Sequence, residues 1–237
     1  PIEDDGWAAP SGFVQTLDAP PQVAVEPTSA PAGIDLDALS DAAADMIRSG
    51  DAASALESLR EHLPAAAADH ARCWRIAAGA MARLDLPDNA IEAFAYSLDI
   101  DGSDAPTWFN MGALKRRGGD LVGGMVCFRN AVDLDPNYYK AYTNLGIVYA
   151  KLGQYDQAIE AYNKALKFLP EDDASHNKLA SAYREMDEWQ LSQTHYQRAI
   201  KADPYHLDAY VGLGNVHMEM SSAFADARSL FAHALAF

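Results

Sequence analysis

A fixed period of 34 residues governs most of this chain. Pro136, Pro170 and Pro204 stand 34 apart, and one further step back lands on Gly102, so a helix-stopping residue recurs at one phase. Small residues keep the same period at Ala78, Gly112, Gly146, Ala180 and Gly214, where two helices can approach closely. Trp74, Trp108 and Tyr142 lie four residues before the first three of these. Later in each period come Ala90, Gly124, Ala158 and Ser192, then Phe94, Phe128, Tyr162 and Tyr196, then Ser97, Ala131, Ala165 and Ala199. Steps of four and three trace one face of a second helix. Such a chain folds as a row of helical hairpins, each burying its apolar face against the next.

The run Tyr142-Thr143-Asn144-Leu145-Gly146-Ile147-Val148-Tyr149, followed by Tyr155-Asp156-Gln157-Ala158-Ile159 and closed by Pro170, resembles the tetratricopeptide repeat. Units in register fall at 36–70, 71–104, 105–138, 139–172, 173–206 and 207–237. The first takes one extra residue, with Pro64 displaced into its loop. The last takes one inserted near Ser221 to bring Ala227, Phe231 and Ala234 into phase, and it stops at Phe237 inside its second helix. Without a polar capping helix, more protein is expected to follow in the gene. The resemblance implies an all-α fold, a right-handed superhelical solenoid of about six antiparallel helical hairpins.

Residues 1–35 stand outside the period. They hold six of the twelve prolines and six acids, Glu3, Asp4, Asp5, Asp18, Glu26 and Asp35, with no Lys or Arg. Proline at this density blocks helix and ladder hydrogen bonds, and few apolar residues remain to offset chain entropy. A disordered, acidic, Pro-rich tail is therefore expected. Trp7, Gly12, Phe13 and Val14 form a small apolar island in it.

Net charge bounds the partners. At −16, non-specific attraction to nucleic acid or an anionic membrane is opposed by Coulomb repulsion. No run of apolar residues is long enough to span a bilayer, and no signal peptide opens the chain. A chain that begins with Pro1 constrains the compartment weakly, with the cytoplasm slightly favoured over the periplasm. Cys73 and Cys127 are too few and too distant for a disulfide framework and read as packing residues.

Catalytic and metal-binding patterns lead to neither chemistry. Asp99, Asp101 and Asp104 around Gly102 lack EF-hand spacing and fall in the turn between repeats. Gly118-Gly119 and Gly123-Gly124 have no following Gly-Lys-Ser/Thr; the first pair reads as a hairpin turn, and Gly123 as a surplus glycine softening its helix. No His-x-x-x-His pair or nucleophile motif is present. The expectation is a non-enzyme without cofactor or metal.

In the family, positions 2, 5, 6, 9, 12 and 13 of each unit face a concave groove. The first helices of the second, third and fourth units contain Arg72, Arg75, Arg83, Lys115, Arg116, Arg117, Lys140 and Lys151 and not one Asp or Glu. Cations in the last turn, Arg83, Arg116, Arg117, Lys151 and Arg184, also favour the helix dipole. Arg72, Arg75, Lys140 and Lys178 lie in the first two turns, where the dipole disfavours positive charge, and so point to a ligand. Asn110 and Asn144 occupy the sixth position, where the family often holds a ligand backbone, and Asn177 and Asn215 lie at neighbouring inward positions. Arg75, Asn110 and Lys140 match part of the family's clamp for a terminal carboxylate, from which Gly79 and Asn144 depart.

The expected peptide-binding set is therefore Arg72, Arg75, Asn110, Arg117, Lys140, Asn144, Asn177, Lys178 and Asn215. It suits an extended, acidic peptide of a partner protein, or the chain's own tail through Glu3, Asp4, Asp5 and Trp7. The function expected is that of a protein–protein interaction scaffold or adaptor. Alternatives are the substrate-recognition arm of an enzyme such as an O-linked glycosyltransferase whose catalytic domain follows Phe237, or an envelope scaffold for polysaccharide export.

Overall fold

A computed structural model describes residues 34–63, 67–221 and 224–235. The expectations for the tail at 1–33, for Pro64 and for Phe237 lie outside the described residues. Among the described residues there are twelve α-helices and no strand: α1 (Leu36–Arg48), α2 (Ala52–Arg60), α3 (Ala71–Arg83), α4 (Pro87–Ile100), α5 (Ala105–Arg117), α6 (Leu121–Leu134), α7 (Tyr139–Lys151), α8 (Tyr155–Phe168), α9 (Asp173–Glu185), α10 (Trp189–Ala202), α11 (Leu207–Ser221) and α12 (Phe224–Ala234). Among the described residues, no helix is long and apolar enough to cross a membrane.

The helix ends follow the periodic signals. α4, α6, α8 and α10 each stop two residues before the breaker, at Ile100, Leu134, Phe168 and Ala202. Five aspartates mark helix starts: Asp35, Asp51, Asp104, Asp120 and Asp172 each cap a helix by accepting a backbone N–H. A Cβ at Gly123 would lie 2.0 Å from the capping Asp120 Oδ2, a side-chain end that can shift, and Asp51, Asp104 and Asp172 cap Ser54, Thr107 and Ser175 at the same position.

The first five hairpins each turn through one left-handed residue at the same phase. Gly50, Asp85, Gly119, Gly153 and Asp187 have φ of +94°, +59°, +93°, +73° and +61°. The two helices of a hairpin then close on aromatic side chains. Phe94, Phe128, Tyr162 and Tyr196 from the second helices are all buried, and Gly112 and Gly146 leave the space that Phe128 and Tyr162 fill. Leu145, Val148, Ala158, Tyr162 and Leu179 join three consecutive helices in one continuous core. This is how a solenoid is stabilised, by stacking neighbours rather than around a single centre.

Packing between units sets the inner surface. α1 packs on α3, α5 on α7, α7 on α9 and α9 on α11, while no two second helices pack on one another to a similar extent. First helices drawn together and second helices splayed put the odd-numbered helices on the concave side of the stack. The fold is the right-handed solenoid of antiparallel hairpins that the period predicts.

Candidate peptide-binding groove

Among the described residues, cavities lie on the concave face at equivalent joints between first helices, three of which line the groove. The largest, about 450 Å³, lies between α3 and α5 with Ile47 of α1 at its edge, and holds Arg83, Arg116, Arg117 and Asn110. Gly79 opens it, since a Cβ at that position would meet nothing within 4 Å. A second, about 290 Å³, lies between α7 and α9 and holds Lys151, Lys178, Ser181 and Glu185. A third, about 360 Å³, lies between α9 and α11 and holds Arg184, Glu185, Asp187, Trp189, Asn215 and Glu219. Charge therefore runs along the groove, from three arginines without an acid, through two lysines against one glutamate, to three carboxylates against one arginine.

The expected site residues divide by what they touch. Arg72 of α3 forms ion pairs with Asp37 and Asp41 of α1. Arg75 pairs with Asp104 at 2.7 Å, its side chain 34% and the carboxylate 27% exposed. Arg72 ties α3 to the unit before it, and Arg75 ties α3 to the residue that caps α5. Arg117, Lys140 and Lys178 are exposed and form no ion pair among the described residues, although Lys140 Nζ lies 6.0 Å from the Tyr139 ring centroid. Arg83, Arg116 and Lys151 are likewise free of ion pairs. Arg83 Nη1 donates to the Ile47 carbonyl at 2.9 Å, and Arg116 Nε is buried with no acceptor. Lys115 is paired with Asp120 and Arg184 with Glu185.

The asparagines divide similarly. Asn110 is exposed at the first cavity, and Asn215 is half-buried in the third. Asn144 Nδ2 donates to the Lys140 carbonyl at 2.9 Å, and its oxygen has no hydrogen bond among the described residues. Asn177 is buried, its Oδ1 without a hydrogen-bond partner.

Residues of catalytic type gather in a few places. His176 Nε2 lies 2.9 Å from the Pro170 carbonyl and its Nδ1 3.0 Å from His195 Nδ1. His206 Nδ1 is 2.9 Å from Asp173 Oδ2, joining the start of α9 to the turn before α11, with Asp203 nearby. Asp101 accepts from the backbone and hydroxyl of Ser103, and Asp104 caps α5 through Thr107. Cys127 is buried in the core, and burial raises its thiol to about 11, which keeps it protonated.

Family models for the tetratricopeptide repeat match residues 139–172 and residues 177–237. The chain is a tetratricopeptide-repeat protein. Solved structures share its architecture. The chain is 20% identical to MamA 41-end from Desulfovibrio magneticus RS-1, with a TM-score of 0.66 over 70% of this chain and 93% of that one. It is 17% identical to pilF of Pseudomonas aeruginosa, with a TM-score of 0.70 over 82% and 87%. YrrB, described as a TPR protein with an unusual peptide-binding site, is 15% identical with a TM-score of 0.65 over 76% and 92%. No curated protein matches the sequence. At these identities the likeness establishes the fold. Tetratricopeptide repeats are protein–protein interaction scaffolds, and this chain is built as one.

The single charge surplus of the central first helices was readable in the sequence; which cations are free was not. Gly79 was visible only as a departure from a clamp, and its open space needs the joint between α3 and α5 to be seen.

Proposed function

We propose that this chain holds an extended, acidic segment of a partner protein along the α3–α9 part of its groove. One observation carries the reading: in a chain of net charge −16, Arg83, Arg116, Arg117, Lys140, Lys151 and Lys178 form no ion pair with any described carboxylate. Cations left unneutralised among so many acids keep their hydrogen-bonding capacity for an incoming anion. Charge-assisted hydrogen bonds to carboxylates are about twice as strong as neutral ones. Asn110 and the free oxygen of Asn144 add amide groups that suit a peptide backbone. Because the groove turns acidic between α9 and α11, the acidic stretch lies toward α3. The peptide-binding site of YrrB, on a similar fold, supports a peptide as the occupant.

The test is a pull-down with mass spectrometry at low and moderate salt, comparing the chain with an Asn110→Ala, Arg117→Glu, Lys140→Glu variant of unchanged helicity. Partners with acidic segments that the variant loses support the reading. Identical partner sets for both proteins would place binding elsewhere. Glu3, Asp4 and Asp5 give the chain's own N-terminal segment the same chemistry, and affinity measured with and without residues 1–35 decides whether it competes.

A further inference from the structure

The cavity between α3 and α5 is built for more charge than a carboxylate brings. A carboxylate is satisfied by one guanidinium, which can grip both oxygens in a bidentate pair. Here Arg83, Arg116 and Arg117 converge on one space of about 450 Å³ with no acid in its lining. All three sit on the last turns of α3 and α5, so the joint presents them from two sides. Arg83 gives one N–H to the Ile47 carbonyl, and none of the three guanidiniums forms an ion pair among the described residues. Lys115, the neighbouring cation, is already neutralised by Asp120 and adds nothing.

The space has depth as well as charge. Gly79 removes the side chain that would close it, and Phe94, Leu114 and Ile47 supply apolar wall. An apolar stem ending in a compact, multiply charged anion matches that shape. A phosphomonoester carries about −1.5 to −2 at neutral pH and offers three strong acceptor oxygens, enough to engage three guanidiniums together.

We propose that this cavity receives a phosphorylated side chain of the segment bound in the groove. The inference rests on the acidic-segment reading and specifies one residue of that segment. In this arrangement the acidic stretch is held by the lysines and amides further along, and phosphorylation at the α3/α5 joint switches affinity.

The experiment is fluorescence anisotropy of the full chain with labelled, glutamate-rich synthetic peptides identical except at one position. That position carries serine, glutamate, phosphoserine, tyrosine or phosphotyrosine. The expected result is that a phosphorylated peptide binds about tenfold tighter than the glutamate peptide, with the phosphoserine and phosphotyrosine arms reporting which stem fits. Arg83→Gln with Arg117→Gln brings the phosphorylated peptide down to the glutamate level. Gly79→Leu also removes the increment, and since leucine favours helix and meets open space there, circular dichroism should show an intact fold. If phosphorylated and glutamate peptides bind equally and both weaken in the double variant, the phosphate inference falls and the acidic-segment reading stands. If no peptide binds, or the arginine variant changes none of them, that reading falls and takes the inference with it.

Discussion

The ring of Tyr162 lies so close over Gly146 that a Cβ on the glycine would sit 2.4 Å from the ring carbon Cε1. Tyr162 is 1% exposed and packed among Leu145, Val148 and Leu179, so it cannot swing away. Gly146→Ala should therefore cost about 1–3 kcal/mol through overpacking. Gly79→Ala, also inside a first helix, meets nothing within 4 Å and should gain about 1 kcal/mol of helix propensity. Urea denaturation of the two variants checks both, and equal stability of Gly146→Ala and the parent would contradict the packing account.

The left-handed turn residues of the first five hairpins offer a second contrast. Gly50, Gly119 and Gly153 take positive φ freely, whereas Asp85 and Asp187 hold φ of +59° and +61° with a side chain attached. Left-handed backbone costs a residue with a Cβ about 1–2 kcal/mol, and glycine gives back part of that gain as entropy of the unfolded chain. Asp187→Gly should stabilise by about 0.5 kcal/mol, and Gly153→Ala should destabilise by about 1 kcal/mol. Thermal melts of the two resolve the opposite signs.

Much of this architecture was legible because each local signal recurs at one phase. Pro136, Pro170 and Pro204 mark where second helices end, and Gly112 and Gly146 mark where aromatic rings land, so a single unit read correctly fixes its neighbours. The site was less legible, because pairing depends on which residues the stack brings beside one another. Arg75 and Asp104 are 2.7 Å apart although one opens α3 and the other caps α5. Arg72 likewise finds Asp37 and Asp41 a whole unit away. Seen as isolated helices, these cations are unopposed; seen in the stack, they are ties. The cavity at Gly79 has the same origin, since an absent side chain shows only what a neighbouring helix leaves unfilled.

A third prediction concerns acid. His176 Nε2 donates to the Pro170 carbonyl at 2.9 Å, so its Nδ1 accepts the proton of His195 Nδ1 at 3.0 Å, and both rings are neutral in this arrangement. The ring of Tyr183 stacks on His195, and Arg198 adds positive charge nearby. Burial, then the neighbouring His176, depresses His195 to about 4, and burial also lowers His176. Both values are depressed below the ordinary histidine value near 6.5, so the unfolded chain binds protons first as pH falls. Stability is complete above about pH 6.5, is lost toward about pH 4, and levels off below that for this pair. The loss should be about 2 kcal/mol, allowing for solvent screening of a partly exposed ring. Replacing His195 with Gln should flatten the decline between pH 6.5 and 4 in denaturant titrations, and an unchanged slope would assign it to other groups.

The fourth prediction separates ties from ligand contacts. Arg75 and Asp104 are each about a third exposed, so their ion pair should contribute roughly 0.5–1 kcal/mol and weaken with salt. Asp104 also accepts the backbone N–H of Thr107 and starts α5, so Asp104→Ala should cost more, about 1–2 kcal/mol. Arg75→Gln should then lower stability while leaving affinity for an acidic peptide within about twofold, because the guanidinium is already committed to Asp104. Arg117→Gln should do the reverse, since its exposed guanidinium forms no ion pair with any described residue and helps to line the cavity between α3 and α5. Measuring the melting temperature and peptide affinity of both variants decides the matter. A loss of affinity in Arg75→Gln larger than in Arg117→Gln would mean that a ligand pulls Arg75 out of its ion pair, and the binding surface would then lie nearer the start of α3 than its end.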